Sequence, residues 1–286
     1  MSDSINNIQM KAGKIWYNAK EILKFYFKAD TVHSIDSPFL FFLLMNTVEV
    51  KKKSEAINRI VNFKKKLFSL KDKFTRFDLG KGSMHMKQNQ VILGKWAKIS
   101  SIDDYNGKLL FHLSSHLKPD KILELGTATG ISAIYLATGN PDSKVFTLEA
   151  DPYLCKLARQ HADDLGLQNI IIKEGDFADT LTPVLNEMQN ADLVFIDGQH
   201  HSQALAHQLS SLYPYLSKNK VVIIDDLRWS DDMYGAWLNL VKDDRWNISL
   251  DLYRMGILIC NDDIKHRIDK MVIQSKWKRW KLGLYR

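Results

Sequence analysis

From residue 121 onward the chain repeats one pattern: a short apolar run, a turn carrying an acidic residue, then a segment with helical periodicity. The apolar runs are Lys121–Leu125, Lys144–Leu148, Ile170–Lys173, Leu193–Asp197 and Val221–Asp225. Helices are expected at Thr129–Ala137, from Asp151-Pro152 to a stop at Gly166, and at 178–188, 202–217 and 231–242. Strands that alternate with helices in this way form a parallel sheet covered on both faces. The runs Val221-Val-Ile-Ile224 and Leu193-Val-Phe-Ile196 have the unbroken apolarity of strands buried on both sides. Two further runs, 246–252 and 255–260, are separated by Tyr253-Arg-Met and are expected to pair antiparallel at the end of the sheet.

Before residue 120 the pattern is helical. Residues 8–28 place Ile15, Ala19, Ile22 and Tyr26 on one face, with lysines elsewhere. Ser37-Pro38 has the form of an N-cap followed by proline at the first helical position, and helices are expected over 54–70 and 102–117. The loop Asp78-Leu-Gly-Lys-Gly-Ser83 is either a lid near a site or a plain surface loop. The preceding Lys73-Phe-Thr-Arg-Phe is too polar for a buried strand. The division expected is a helical extension over 1–100, the alternating domain over 101–262 and a basic tail over 263–286.

Composition narrows the setting. The content of 45% hydrophobic and 26% charged residues is that of a soluble globular protein. No stretch reaches the ~20 apolar residues that span a bilayer, and no signal-peptide core is expected at the N-terminus. Cys155 and Cys260 lie in apolar surroundings without metal-type spacing, which suits reduced core thiols and a cytoplasmic location. The net charge of +7 is local: from Ile264 to Arg286 there are eight Lys/Arg and one Asp, interleaved with Trp277 and Trp280. That segment fits a solvated tail or a packed homodimer element, peripheral contact with an anionic inner membrane face, or contact with nucleic-acid phosphate, the last being the least favoured.

Ligands of open α/β sheets bind beyond the carboxyl ends of the strands. Here all five runs end in acids: Glu124, then Glu149 and Asp151, Glu174 and Asp176, Asp197, and Asp225 with Asp226. The first end is Glu124-Leu-Gly126-Thr-Ala-Thr-Gly130, whose glycines let the backbone turn sharply and approach a ligand. A dinucleotide turn would read G-x-G-x-x-G. Ala128 stands at its middle glycine and Ile131 follows Gly130, so this turn is a poor pyrophosphate cradle.

The turn resembles the E/D-x-G-x-x-x-G turn of class I S-adenosylmethionine-dependent methyltransferases, and residues 121 to about 260 are similar to that superfamily throughout. The resemblance implies an α/β, Rossmann-like sheet of seven mostly parallel strands with an antiparallel last strand, preceded by a helical N-terminal extension. It implies S-adenosylmethionine held by Glu124, Gly126, Thr127, Gly130, Ser132, Glu149, Asp176, Phe177 and Asp197. Glu149 would accept from the ribose hydroxyls, Asp176 from the adenine amino group, and Phe177 would pack on the ring. More narrowly, Val194-Phe-Ile-Asp197-Gly-Gln-His200 and Val222-Ile-Ile-Asp225-Asp226 resemble segments of bacterial O-methyltransferase-like proteins. The N-terminal part resembles a bacterial subgroup with a His-Ser-Pro-Phe segment and an Asp-x-Gly-x-Gly-Ser loop, Asp36 standing here in place of the histidine.

Metal-dependent small-molecule O-methyltransferases hold a divalent cation with acids at the ends of these same two strands. The resemblance therefore implies Mg²⁺ at Asp197, Asp225 and Asp226, hard oxygen ligands suited to that ion. The alternative is that Asp197 meets the cofactor region, Asp225 ends a strand and Asp226 caps a helix. Asp197 and His200 are the candidate catalytic residues. His200 or His201 would serve as general base, or as a loop histidine without chemical role. Trp229 would pack on the acceptor or within its helix. The function implied is methyl transfer to a hydroxyl of a small molecule or of a lipid- or glycan-linked intermediate. The alternatives are a nucleic-acid methyltransferase using the basic tail, disfavoured by the lack of an Asn/Asp-Pro-Pro-Tyr-type motif, and a non-catalytic cofactor-binding protein.

Overall fold

The computed structural model describes residues 17, 19–51, 53–76 and 89–278. The first helix, α1, covers 19–28 in its described part. Residues 8–16 and the loop Asp78–Ser83 lie outside the described residues.

The N-terminal helices begin where the sequence supplies caps. Ser37 accepts from the Leu40 amide at the head of α2 (Pro38–Thr47), and Ser54 accepts from Ile57 at the head of α3 (Glu55–Ser69). Two short strands follow, β1 (Lys73–Arg76) and β2 (Asn89–Ile92), paired antiparallel. Lys73–Arg76 forms a strand, but as expected not a buried one: Lys73 and Thr75 are exposed. It belongs to a separate two-stranded ribbon in which Phe74 is buried, so its polarity is no obstacle. Helices α4 (Leu93–Ser100) and α5 (Asp104–Leu117) lead into the sheet, the latter capped by Asp103.

The alternation then runs as read: β3 (Lys121–Leu125), α6 (Ile131–Gly139), β4 (Lys144–Glu149), α7 (Pro152–Asp164), β5 (Ile170–Glu174), α8 (Phe177–Met188) and β6 (Ala191–Ile196). After α9 (Ser202–Leu212) the expected helix stops early. Pro214 has no amide to continue the ladder, so Tyr213–Tyr215 tightens into a 3-10 turn and Leu216 begins β7 (Leu216–Ile224). Next come α10 (Asp231–Leu240), β8 (Ile248–Asp251) and β9 (Gly256–Cys260). With β10 formed by Ile268–Met271, the strand order is β10-β8-β9-β7-β6-β3-β4-β5, and β9 is antiparallel to both of its neighbours.

Among the described residues the sheet has eight strands, one more than expected. The extra one, β10 (Ile268–Met271), comes from the segment read as a basic tail and pairs parallel to β8. Val272 then bridges Asp30, Gln274 donates to the Val48 carbonyl at 2.6 Å, and the fully buried Lys278 donates to the Ala29 carbonyl at 2.6 Å. Up to Lys278 this segment is thus stitched to the N-terminal helices. Among the described residues no helix is long and apolar enough to cross a membrane, and both cysteines are unpaired.

Successive strand residues face opposite sides, so the core divides into two layers. Ile122, Leu193, Phe195, Val221 and Ile223 pack with α2, α3, α5 and α6, whereas Leu123, Leu125, Val194, Ile196, Val222 and Ile224 pack with α8, α9 and α10. The described part of residues 1–100 is therefore one face of the same core.

Arg228 anchors α1 to this core. Its guanidinium donates to both Asp251 oxygens at 2.8 and 2.6 Å and to the Tyr253 carbonyl at 2.6 Å, beneath the rings of Phe25, Tyr234 and Tyr253. Removing one member of a buried pair leaves the other charge uncompensated. Arg228→Met is expected to cost about 3–5 kcal/mol in urea unfolding, and a loss below about 1 kcal/mol would show that the buried pair contributes no more than an exposed one.

Candidate functional site

The carboxyl ends of β3, β4, β5, β6 and β7 share one edge, and the antiparallel β9 starts there too. The glycine turn is shaped by what it must pass. Gly126 has φ 106°, and a Cβ on it would lie 2.3 Å from the Asp197 carbonyl oxygen. Only glycine permits both the left-handed backbone and that approach. Gly130, at φ 79°, opens α6 against Ala158. Ala128, Gln199 and Asp226 are also left-handed, with φ 46°, 54° and 53°. Non-glycine residues hold such conformations only where their surroundings impose them, commonly at functional sites.

Gly126, Ala128, Gln199 and Asp226 border a cavity of about 500 Å³, a volume typical of small-ligand sites. Its walls include Gly126, Ala128, Glu149, Ala150, Asp176, Phe177, Asp197, Gly198, His200, Asp226, Trp229 and Arg254. Trp96, Ile99 and Ser100 of α4 close one side. Of the cofactor residues expected from sequence, Gly126, Glu149, Asp176, Phe177 and Asp197 line this cavity. Glu124, Thr127, Gly130 and Ser132 do not: they form the floor and hinge of the turn.

Glu149 is held from three directions. One oxygen accepts from the Ala128 amide at 2.9 Å; the other accepts from Ala150 and Asp151, each at 3.0 Å. Burial raises its carboxyl above the ordinary range, while these amides favour the charge. A carboxylate offers about four acceptor positions, so roughly one remains toward the cavity. Asp176 caps α8 through the Ala178 amide at 2.8 Å and borders the cavity as well. Capping α8 is geometrically compatible with the role expected for Asp176 at the cavity.

The two histidines separate. His201 caps α9, its Nδ1 accepting from the Ala204 amide at 3.2 Å. His200 lines the cavity, with Nε2 3.7 Å from Asp226 and its ring 5.2 Å from that of Trp229. Trp229 is half exposed at the mouth, which places it on the cavity and not in a helix interface.

The three carboxylates read as a metal set do not form one. Arg254 donates Nε to Asp225 Oδ1 at 2.9 Å and Nη2 to Oδ2 at 2.7 Å, so both Asp225 oxygens are engaged. The ligand atoms that do converge, within 4.8 Å, belong to Asp197, His200 and Asp226. Divalent cations of the Mg²⁺ type need directly available oxygens, and the set Asp197, Asp225 and Asp226 does not fit one. Asp197 is raised well above the ordinary carboxylate range by burial and by the neighbouring charges of Asp225 and Asp226.

Sequence reading missed Arg254 and the α4 wall. A clue to Arg254 was present: Tyr253-Arg-Met joins two antiparallel strands, and that junction must fall at the edge where the parallel strands end.

Residues 123–227 match a family described as a methyltransferase domain. A catechol O-methyltransferase from Niastella koreensis is 34% identical over 100 residues, covering 34% of this chain and 45% of that protein. A tRNA1(Val) (adenine(37)-N6)-methyltransferase from Porphyromonas gingivalis is 31% identical over 124 residues, 42% of this chain and 44% of that protein. The chain thus spans less than half the length of these curated relatives. Among solved structures, a SAH-bound Podospora anserina methyltransferase superposes with TM-score 0.54 at 17% identity, covering 77% of this chain and 93% of that one. An O-methyltransferase from Bacillus cereus in complex with SAH gives 0.52 at 18%, covering 77% and 100%. At such identities the likeness concerns the fold.

Glu124 supplies a test of how the turn is supported. It is fully buried, accepts from the Thr147 hydroxyl, and Thr147 in turn lies 2.6 Å from that of Thr127. Burial pushes its carboxyl from 4.5 up to about 7, against the opposing hydroxyls of Ser132 and Thr147. The native state therefore holds this proton more tightly than the unfolded chain. The stability Glu124 contributes is complete below 4.5 and is lost as pH rises through about 7. Glu124→Gln cannot ionise, so it is expected to gain on the parent between these limits, by on the order of 3 kcal/mol. Denaturant midpoints measured across this range check it, and parallel curves for the two proteins would contradict it.

Proposed function

We propose that this chain, whose residues 123–227 match a methyltransferase domain family, transfers a methyl group from S-adenosylmethionine to a hydroxyl of a small molecule or of a lipid- or glycan-linked intermediate. The observation that carries the reading is the cavity at the glycine turn, with Glu149 pre-set by three backbone amides beside Asp176 and Phe177. That arrangement fits a nucleoside: a carboxylate for sugar hydroxyls, an acid and an aromatic ring for a base, and no cradle for phosphate. The cofactor supplies an electrophilic methyl group on a sulfonium centre.

The chain's own residues do the rest. Glu149 and Phe177 fix the nucleoside, and the carboxylates of Asp197 and Asp226 favour a cation in the cavity. Trp96, Ile99 and Trp229 form the apolar wall for the acceptor. His200, at the mouth, takes the acceptor's proton as the new bond forms. The acceleration rests mainly on holding two reactants in line. Similarity to proteins named catechol O-methyltransferase, and to solved O-methyltransferases, favours oxygen as the acceptor atom. The tRNA and release-factor methyltransferases among the relatives point to nitrogen. Their acceptors are planar amides or bases, whereas β6 here is followed by Asp197-Gly-Gln-His200 and not by an Asn/Asp-Pro-Pro-Tyr segment.

Calorimetry with SAH, the demethylated cofactor, tests the site without an acceptor. Binding of SAH and not of NAD is expected. Glu149→Ala should weaken it about 10- to 150-fold, the loss of hydrogen bonds to a charged group, and Glu149→Gln, which keeps one acceptor oxygen, should weaken it less. Unchanged SAH affinity in Glu149→Ala removes the assignment. A radiolabel transfer screen against phenols, lipids, glycans and RNA then identifies the acceptor class.

A further inference from the structure

Arg254 stands where the acidic edge of the site most needs a positive charge. Its Nε and Nη2 take both oxygens of Asp225, whose side chain is buried. The same Nε lies 3.3 Å from Asp226 Oδ1, and Nη1 donates to Asp103 Oδ2 at 3.2 Å. One guanidinium thus bridges the end of β7, the following residue and the cap of α5. It still borders the cavity, with 35% of its side chain exposed.

The backbone fixes this placement. Tyr253 is left-handed at φ 76°, the Arg254 carbonyl accepts from the Leu227 amide at 2.9 Å, and the Tyr253 carbonyl accepts from Arg228. Two acid–arginine pairs therefore cross between the same two loops: Arg254 with Asp225 and Arg228 with Asp251. Burial works against the charge on Arg254, but the hydrogen bond and charge of Asp225, followed by Asp226 and Asp103, hold its pKa above the ordinary arginine value.

We propose that Arg254 is the resident cation of this site, occupying with its guanidinium the position that a divalent ion would need at Asp225 and Asp226. The proposal rests on the methyl-transfer reading for its chemical meaning. In that reading Arg254 is a fixed positive charge beside the acceptor, favouring an oxygen that becomes negative as its proton leaves. The remaining convergent trio, Asp197, His200 and Asp226, shares its Asp226 with the guanidinium. A dication there would sit beside a charge that arginine does not give up, and a set with one imidazole and one of its two carboxylates already engaged by arginine suits Mg²⁺ poorly.

Manganese serves as the probe, since its free and bound forms are distinguished by electron paramagnetic resonance. The wild-type protein is expected to leave Mn²⁺ free up to about millimolar concentration, a regime of weak binding. Arg254→Met and Arg254→Gln should each gain a Mn²⁺ site at least tenfold tighter, and Asp225→Asn added to either should remove the gain. Arg254→Lys, which keeps a charge, should stay closed to the ion. Tight stoichiometric binding by the wild type that is lost in Asp226→Asn overturns the proposal, as does the absence of any gain in folded Arg254→Met or Arg254→Gln. SAH calorimetry on each protein reports folding of the site. A wild type that binds neither SAH nor Mn²⁺ would refute the methyl-transfer reading while leaving the Arg254 assignment to the variants.

Discussion

Several carboxylates cannot be gathered at one buried edge of a sheet unless each is protonated, hydrogen-bonded or paired with a cation, because their charges repel and burial penalises all of them. Parallel strands impose that gathering here, since every β–α turn of the alternating region carries an acid to the same edge. Most of these acids are satisfied by one of four devices. Glu124 is pushed toward protonation near neutrality. Glu149 takes three backbone amides. Asp151 and Asp176 cap helices, and Asp225 and Asp251 take arginines. Asp197 is left with the least compensation, and it lines the cavity.

The arginine pairs also explain why the closing hairpin belongs to the site. Strand β9 runs antiparallel to β7, so the β8–β9 junction returns to the edge where the central strands end. The junction brings Arg254 to Asp225 and receives Arg228 at Asp251. Catalytic-edge geometry and sheet closure are thus parts of one interaction. The same logic extends outward: β10 and the residues after it bind the N-terminal segment, which covers one face of the sheet and places α4 at the cavity wall.

The sequence by itself determined the alternation of strands and helices, the two-sided burial of β6 and β7, the caps at Ser37 and Asp151, and the glycine turn. Each is a local property, set by periodicity or by one side chain and its next few amides. It also placed Gly126, Glu149, Asp176, Phe177 and Asp197 at one edge, because parallel strands joined by helices all end on the same side of the sheet. Only the tertiary structure decided which acids keep a free oxygen. Arg254 and Asp225 are 29 residues apart, and Lys278 and Ala29 are 249 apart, so no local pattern reports that they meet. For the same reason a segment rich in Lys and Arg reads as a solvated tail until its apolar alternates, Ile268 and Val272, are seen buried against β8 and α1's end. Periodicity records which face a residue turns toward the core. Only the folded chain records which distant charge is waiting there.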